Sequence, residues 1–146
     1  MYFGLSEEQE SFQESLDKFL EDAAPLDLIQ SFAHGENTSL PTAVHNGLIE
    51  LGINSLIIPE EYGGLGLDLL FAAATSQSLG AGIAPAPFTG SYVMAPLALI
   101  KAGSDTQKSE YLEAIGEANI HFGVGISEYI GAREDAGINI DGNKAN

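Results

Sequence analysis

The stretch IPEEYGGLG, residues 58–66, places two adjacent carboxylates, a tyrosine and three glycines between apolar segments. Its glycines match neither the G-x-G-x-x-G turn of dinucleotide-binding proteins nor a phosphate-binding loop that ends in lysine followed by serine or threonine. Glu60 and Glu61 are sequence neighbours, so in a helix or a strand their side chains point in different directions and do not flank one substrate atom. The stretch therefore indicates neither a nucleotide-binding loop nor a catalytic acid pair.

The same stretch has the composition of a stiff loop between two helices. Pro59 fixes one φ angle, and Gly63 and Gly64 permit positive φ angles. Asp68 follows closely and is a candidate N-cap for the next segment. We therefore predict that one helix ends before this loop and that another begins directly after it.

Helical signals lie on both sides of the loop. Towards the N-terminus, Ser6 and Gln9 have the spacing of a capping box, and Gly52 is placed to end the helix that precedes the loop. Towards the C-terminus, Ser104 and Gln107 repeat the capping-box spacing. The first helix carries an apolar stripe at spacings typical of an amphipathic helix: Leu5, Phe12, Leu16, Phe19 and Leu20.

Two apolar segments after the loop predict two further helices. LLFAAATSQSLGAG, residues 69–82, is apolar almost all round, which is typical of a buried helix. TGSYVMAPLALIKAG, residues 89–103, carries Pro96 in its middle, so we expect a kinked helix. The small residues Gly90 and Ser91 and the adaptable Met94 indicate either the border of an apolar ligand pocket or a close contact between helices.

The sequence changes character after about residue 119. IHFGVGIS, residues 120–127, alternates and is rich in β-branched and aromatic residues, which predicts a strand. AGINIDGNKAN, residues 136–146, predicts a second strand that runs into a turn at Asp141 and Gly142. Because two strands are rarely stable alone, we expect residues 1–118 to form a helical domain and residues 119–146 to be the truncated beginning of a β domain.

Composition excludes several classes of function. The net charge of −16 disfavours nucleic acids and anionic membrane surfaces as partners, and it disfavours phosphate binding by this chain itself. The chain has no cysteine, so disulfides and thiol nucleophiles are excluded. No uncharged apolar run reaches the ~18 residues that span a bilayer. We expect a cytoplasmic protein without membrane insertion.

The sequence offers no pattern for hydrolysis or metal binding. His34, His45 and His121 lie in three different predicted elements and have no partner at helical spacing. A lone histidine is more often a surface or core residue than a ligand or a base. A G-x-S-x-G elbow, which would indicate a serine hydrolase, is also missing from the sequence.

Five motifs, taken in order, resemble the acyl-CoA dehydrogenase family over the whole chain: LSEEQESFQESLDKFL, LIELGINSLIIPEEYGGLGLD, APAPF, AGSDTQKSEYL and FGVGISE. The second and fourth motifs together carry most of the specificity. The resemblance implies a mainly α fold of about six helices in an up-and-down bundle, with a short β-strand stub at the C-terminus. It also implies that the chain covers the N-terminal helical domain of that family and only the first edge of its middle β domain.

The resemblance further implies an FAD-dependent oxidoreductase that oxidises the Cα–Cβ bond of an acyl-CoA thioester and passes electrons to electron-transferring flavoprotein. In that family a glutamate removes the α-proton and the flavin accepts a hydride. Since that glutamate would lie beyond residue 146, we expect no catalytic base, no bound FAD and no activity in this chain alone. The family's helix at residues 89–99 lines the acyl cavity, which makes Gly90, Ser91 and Met94 candidate substrate-binding residues. We expect the complete enzyme to be a homo-oligomer or a heteromer.

Residues 125–135, GISEYIGARED, resemble the flavin-facing segment of the family, which reads A-L-T-E-P-x-A-G-S-D. Ser127 matches the threonine that faces the flavin, and Ile126 precedes it, so both are candidate cofactor-binding residues. Tyr129 replaces the family's proline. Arg133 stands near the family's serine, which lies close to cofactor or thioester, and is therefore a candidate substrate-binding residue. These departures leave open a non-catalytic helical subunit or interaction module of a heteromeric complex.

Overall fold

The computed structural model describes residues 4–125, 140–141 and 144–145. Within these residues the chain is mainly helical, as predicted, with six α-helices: α1 Glu7–Ala23, α2 Leu26–Ala33, α3 Leu40–Glu50, α4 Leu69–Ala81, α5 Ala95–Ala102 and α6 Asp105–Gly116. A single 3-10 turn spans Glu60–Tyr62, and a π-helical turn, Phe88–Met94, runs directly into α5. Two-residue strands, β1 (Ile140–Asp141) and β2 (Lys144–Ala145), pair antiparallel. The rest of the second predicted strand, and residue 142 of the predicted turn, lie outside the described residues.

The predicted helix ends are confirmed by their hydrogen bonds. Complete capping boxes begin α1 at Ser6 and α6 at Ser104. Asp68 begins α4, because its carboxylate accepts a hydrogen bond of 2.9 Å from the amide of Phe71. After α3, Gly52 adopts a φ of +80°, the left-handed conformation that ends many helices.

One hydrophobic core lies between the helices. Helix α1 packs against α3 and α4, while α5 packs against α6 and the π-helical turn. The segment after α3 runs through the middle of this core, and Asn54 there donates hydrogen bonds to the carbonyls of Ile115 and Gly116 at the end of α6. The most deeply buried side chains come from all of these elements: Leu16, Val44, Leu48, Ile53, Ile58, Thr75, Tyr92, Pro96, Leu112 and Ile115.

The 58–66 stretch is a tight loop, with one difference from the expectation. Gly63 and Gly66 adopt φ angles of +78° and +63°, whereas Gly64 does not adopt a positive φ. A Cβ atom on Gly64 would lie 2.1 Å from the carbonyl oxygen of Ile58, closer than real Cβ contacts come. Glycine is required at position 64 by this close approach of two chain segments. Glu60 and Glu61 are both exposed, in agreement with a structural role for the loop.

Two predictions about individual elements are wrong. Helix α4 is buried along one face only, and Leu69 and Leu70 on the other side are 52% and 53% exposed, because no described element covers that side. Residues 120–125 do not form a strand: they have no regular secondary structure, and the carbonyl of Phe122 accepts a hydrogen bond from a helix side chain, Ser91. The rest of the predicted strand, residues 126–127, lies outside the described residues.

The sequence predicts a kink at Pro96, and the α-helical hydrogen bonding is interrupted in the turn before it. The amide of Ala95 donates to the carbonyl of Gly90, five residues back, which is the π-helical pattern. Pro96 has no N–H to donate to the carbonyl four residues earlier, so the regular α-helical bonding is interrupted here. This turn carries the candidate substrate-binding residues.

Candidate functional site

The π-helical turn separates the three candidate substrate-binding residues on it. Gly90 is half-buried, and a Cβ atom added there would meet no other atom within 4 Å. Met94, four residues on, is 36% exposed. Ser91 is buried, and its hydroxyl donates a hydrogen bond of 2.7 Å to the carbonyl of Phe122. Gly90 and Met94 are therefore accessible, whereas the Ser91 hydroxyl is already engaged with the chain that follows α6.

Residues 119–125, which we call the exit segment, cross the helices next to this turn. Besides the bond from Ser91, the ring of Phe122 contacts the ring of Tyr111 on α6 edge-to-face, with 5.8 Å between ring centroids. The exit segment leads directly to residues 126–135, where the sequence resembles a flavin-facing segment.

Three side chains from different elements meet beside the exit segment. The hydroxyl of Tyr92, on the π-helical turn, lies 2.7 Å from Nε2 of His45 on α3 and 3.2 Å from Nδ1 of His121 in the exit segment. The imidazole rings of His45 and His121 lie edge to face, with 5.1 Å between their centroids. We call His45, Tyr92 and His121 the histidine–tyrosine cluster.

The surroundings of His45 and Tyr92 in this cluster disfavour their charged forms. The pKa of the His45 imidazole is lowered by burial first and by the neighbouring charge of His121 second. Burial raises the pKa of the Tyr92 hydroxyl, whose side chain has no exposed surface. Tyr92 therefore stays protonated and acts in the cluster as a hydrogen-bonding group.

Sequence reasoning missed this cluster. The interpretation of the histidines as isolated residues is wrong for His45 and His121, which lie 47 and 29 residues from Tyr92 in the chain. No sequence spacing pointed to their contact, since it depends on how α3 and the exit segment pack against the π-helical turn. His34 is an exposed residue at the end of α2, as expected of a lone histidine.

The described residues do not fit the phosphates of FAD. Residues 4–125 contain three lysines and no arginine, against seventeen aspartates and glutamates. The lysines lie on three different helices: Lys18 on α1, Lys101 on α5 and Lys108 on α6. The candidate cofactor-binding residues Ile126 and Ser127, and the candidate substrate-binding residue Arg133, lie outside the described residues.

The part of the chain that the structure describes contains neither a cluster of metal-ligating side chains nor a membrane-spanning helix. That part holds no group of three His, Cys, Asp or Glu side chains arranged for a metal ion. None of the helices described has the length and apolarity needed to cross a membrane.

Two solved structures resemble this fold. A chain of the ChsE4-ChsE5 complex from Mycobacterium tuberculosis superposes with a TM-score of 0.63 at 19% identity, over 83% of this chain and 30% of that one. At that identity the likeness concerns the fold alone. A chain in the structure of the electron transferring flavoprotein of Acidaminococcus fermentans superposes with a TM-score of 0.62 at 28% identity, over 80% of this chain and 30% of that one.

Two curated proteins are similar in sequence. The acyl-CoA dehydrogenase IpdE2 of Mycolicibacterium smegmatis is 30% identical over 113 residues, which are 77% of this chain and 35% of that protein. The (2S)-methylsuccinyl-CoA dehydrogenase of Cereibacter sphaeroides is 30% identical over 122 residues, 80% of this chain and 21% of that protein. The chain thus spans about a third or less of the length of these relatives.

The match to a family model extends over most of the chain. Residues 6–118 match the N-terminal domain of acyl-CoA dehydrogenases. These residues include all six α-helices, from α1 to α6. The sequence match, the two relatives and the helical fold agree, and the protein belongs to the acyl-CoA dehydrogenase family.

Proposed function

We propose that this chain supplies the N-terminal helical domain of an FAD-dependent acyl-CoA dehydrogenase that oxidises the Cα–Cβ bond of an acyl-CoA thioester. The observation that carries this proposal is the family match over residues 6–118. The helical domain would line the acyl pocket and support domain packing, with no activity of its own. The catalytic glutamate and most contacts to phosphate groups would come from residues outside this chain, consistent with its net charge of −16.

The π-helical turn supports a role for this domain at the acyl chain. Gly90 leaves open space where a side chain would otherwise stand, and the apolar Met94 is partly exposed beside it. An acyl chain needs such an apolar, sterically open surface. Ser91 would act by holding the exit segment, and so would help to place Ile126 and Ser127 at the flavin and Arg133 at the thioester. When bound, FAD would supply the hydride acceptor of the reaction.

The sequence also favours a second candidate function. Tyr129 stands where the family's flavin-facing segment has a proline, and Arg133 stands near that segment's serine. A chain with an impaired flavin segment would serve as a non-catalytic helical subunit of a heteromeric acyl-CoA dehydrogenase-like complex. In either case we expect an oligomer in the cytoplasm, and for the catalytic form we expect electron-transferring flavoprotein as the electron acceptor.

Flavin content separates the two candidates. The protein expressed from the whole reading frame should be purified and its visible absorbance compared with its concentration. The catalytic candidate predicts one bound flavin per subunit and its bleaching by an acyl-CoA substrate. A colourless protein that forms a stable complex with a flavin-containing partner subunit would support the second candidate and refute the first.

Side-chain volume at position 90 tests the placement of the acyl chain. In that same protein, Gly90→Leu fills the open space on the π-helical turn, so we expect kcat/KM for long acyl-CoA substrates to fall by about tenfold or more, with a smaller effect on short ones. Gly80→Leu is the matched control, because Gly80 on α4 is also free of neighbours within 4 Å of an added Cβ. Equal effects of the two substitutions on every chain length would contradict the proposed pocket.

A further inference from the structure

The exit segment has no hydrogen-bonded ladder of its own to hold it, since residues 120–125 have no regular secondary structure. Its described side-chain links to the helices include the Ser91–Phe122 hydrogen bond, the Tyr111–Phe122 ring contact and the contacts of His121 with Tyr92 and His45. Ile120 and Phe122 also pack against the core. The contacts of His121 depend on protonation, because a histidine nitrogen changes from acceptor to donor when it gains a proton. The placement of the exit segment is thereby tied to the proton content of the histidine–tyrosine cluster.

The Tyr92 hydroxyl has one proton to donate and two lone pairs to accept with. Between two neutral imidazoles it donates to one ring nitrogen and accepts from the N–H of the other. If one imidazole becomes protonated, that ring donates to the hydroxyl and the hydroxyl still donates to the neutral ring. If both imidazoles become protonated, both rings are donors and the Tyr92 hydroxyl proton has no acceptor. This loss is costly because the Tyr92 side chain has 0% exposure and water cannot replace the lost acceptor.

Charge repulsion adds to this loss. Two imidazolium rings with centroids 5.1 Å apart would repel one another, and His45 is partly withdrawn from water. Burial and the charge of His121 are the two causes that lower the pKa of His45, and no carboxylate among the described residues counteracts them. Apart from Tyr92, no ionisable group of the described residues hydrogen-bonds to either imidazole. This holds for the groups on α1 and α2, which pack on or near α3, and for those on α3, on α6 and just after α6: Glu50, Asp105, Lys108, Glu110, Tyr111, Glu113 and Glu117.

We propose that His45, Tyr92 and His121 form a clamp that positions the exit segment, and that the clamp holds with at most one proton on its two histidines and releases the segment when both are protonated. His45 and His121 are positioning residues in this proposal. Its consequence for catalysis rests on the proposed function, because the exit segment leads into the residues that resemble the flavin-facing segment. The clamp itself is a property of the 146-residue chain and requires no flavin.

A single tryptophan can report the position of the exit segment, because the chain contains none. Phe122→Trp places the reporter at the half-buried ring that contacts Tyr111. We expect its fluorescence emission to shift to longer wavelength as the pH of the 146-residue chain is lowered below 6.5, the ordinary pKa of histidine, while the far-UV circular dichroism keeps its helical signal. A red shift that coincides with loss of the helical signal would mean global acid unfolding and would overturn the proposal.

Four backgrounds for the reporter make the test specific. His45→Gln and His121→Gln each allow at most one proton in the cluster, so the red shift should disappear from this pH range in both. Tyr92→Phe removes the hydroxyl, so the emission should be red-shifted at neutral pH and insensitive to acid. His34→Gln, at an exposed histidine outside the cluster, should leave the transition unchanged.

The proposal fails if the transition survives His45→Gln or is lost with His34→Gln. If Tyr92→Phe does not fold, the two glutamine variants still decide the question. The clamp proposal and the proposed function fail separately. The fluorescence experiment does not measure flavin binding, so a negative result there does not bear on the proposed function. Absence of flavin from the purified protein would likewise not bear on the clamp.

Discussion

Gly64→Ala tests whether the close approach inside the 58–66 loop holds the domain together. The added Cβ would lie 2.1 Å from the carbonyl oxygen of Ile58 and 2.4 Å from its Cβ, whereas real Cβ contacts stay beyond about 3 Å. The loop must therefore move away by about 1 Å. Three backbone hydrogen bonds of 2.8–2.9 Å join the end of this loop, residues 65–67, to residues 55–58; the amides of Leu65, Gly66 and Leu67 donate them.

The expected cost follows from these three bonds. A displacement of about 1 Å lengthens each of them beyond useful hydrogen-bond distance, and each contributes about 1 kcal/mol. We expect Gly64→Ala to lower the free energy of unfolding by about 3 kcal/mol, and the melting temperature of a domain of this size by roughly 10 °C. The loop also borders buried Ile58, so a displaced loop would loosen the core beneath it.

Gly63→Ala is the matched control for this prediction. Gly63 has a φ of +78° and no atom within 4 Å of an added Cβ, so the alanine brings backbone strain of about 1–2 kcal/mol and no clash. Urea denaturation followed by circular dichroism measures both variants against the unchanged chain. If Gly64→Ala unfolds at the same urea concentration as Gly63→Ala, the close approach is not a source of stability and the reasoning is refuted.

Three further predictions use the same denaturation assay. Asn54→Ala removes the hydrogen bonds of 3.2 and 2.6 Å to the carbonyls that end α6, so we expect a loss of about 2–3 kcal/mol; no loss would contradict this role. Asp68→Ala removes the cap of α4 and should cost about 1 kcal/mol, whereas Asp68→Ser should restore most of it. Because the pKa of His45 is lowered in the folded chain, the unfolded chain binds more protons than the folded chain below pH 6.5. The free energy of unfolding should therefore be highest above pH 6.5 and fall as the pH drops. His45→Gln should weaken this dependence on pH, and an unchanged dependence would refute the role assigned to His45.

The sequence predicted the features that depend on near neighbours. The capping boxes at Ser6 and Ser104 and the cap at Asp68 each join residues three apart, so the pattern and the hydrogen bond are the same local event. The end of α3 at Gly52 is likewise a local backbone conformation. For this reason the helix order and most helix ends could be predicted from the amino acids alone.

Features that depend on packing could not be predicted in this way. The role of Gly64 comes from its distance to Ile58, and two adjacent glycines in a sequence do not reveal which one turns the chain and which one lets it pass closely. The apolar composition of α4 likewise could not show that Leu69 and Leu70 lie on a side that no described element covers. Both features depend on how the helices and loops pack against each other in three dimensions.

The exit segment shows how a correct pattern led to a wrong element. Ile120 and Phe122 are half-buried while His121 and Gly123 are exposed, so the alternation that predicted a strand does report one covered side. The elements on the covered side are helical: the Phe122 ring contacts Tyr111 on α6, and the Phe122 carbonyl accepts a hydrogen bond from Ser91 on the π-helical turn. The exposed His121 is held by Tyr92, the next residue on that turn. A period of two therefore indicates a segment packed on one side, and only backbone pairing makes it a strand. In the exit segment, hydrogen bonds to the side chains of Ser91 and Tyr92 take the place of pairing with a strand. Because Tyr92 also contacts His45, the position of this segment depends on side-chain chemistry that a β-ladder would not need.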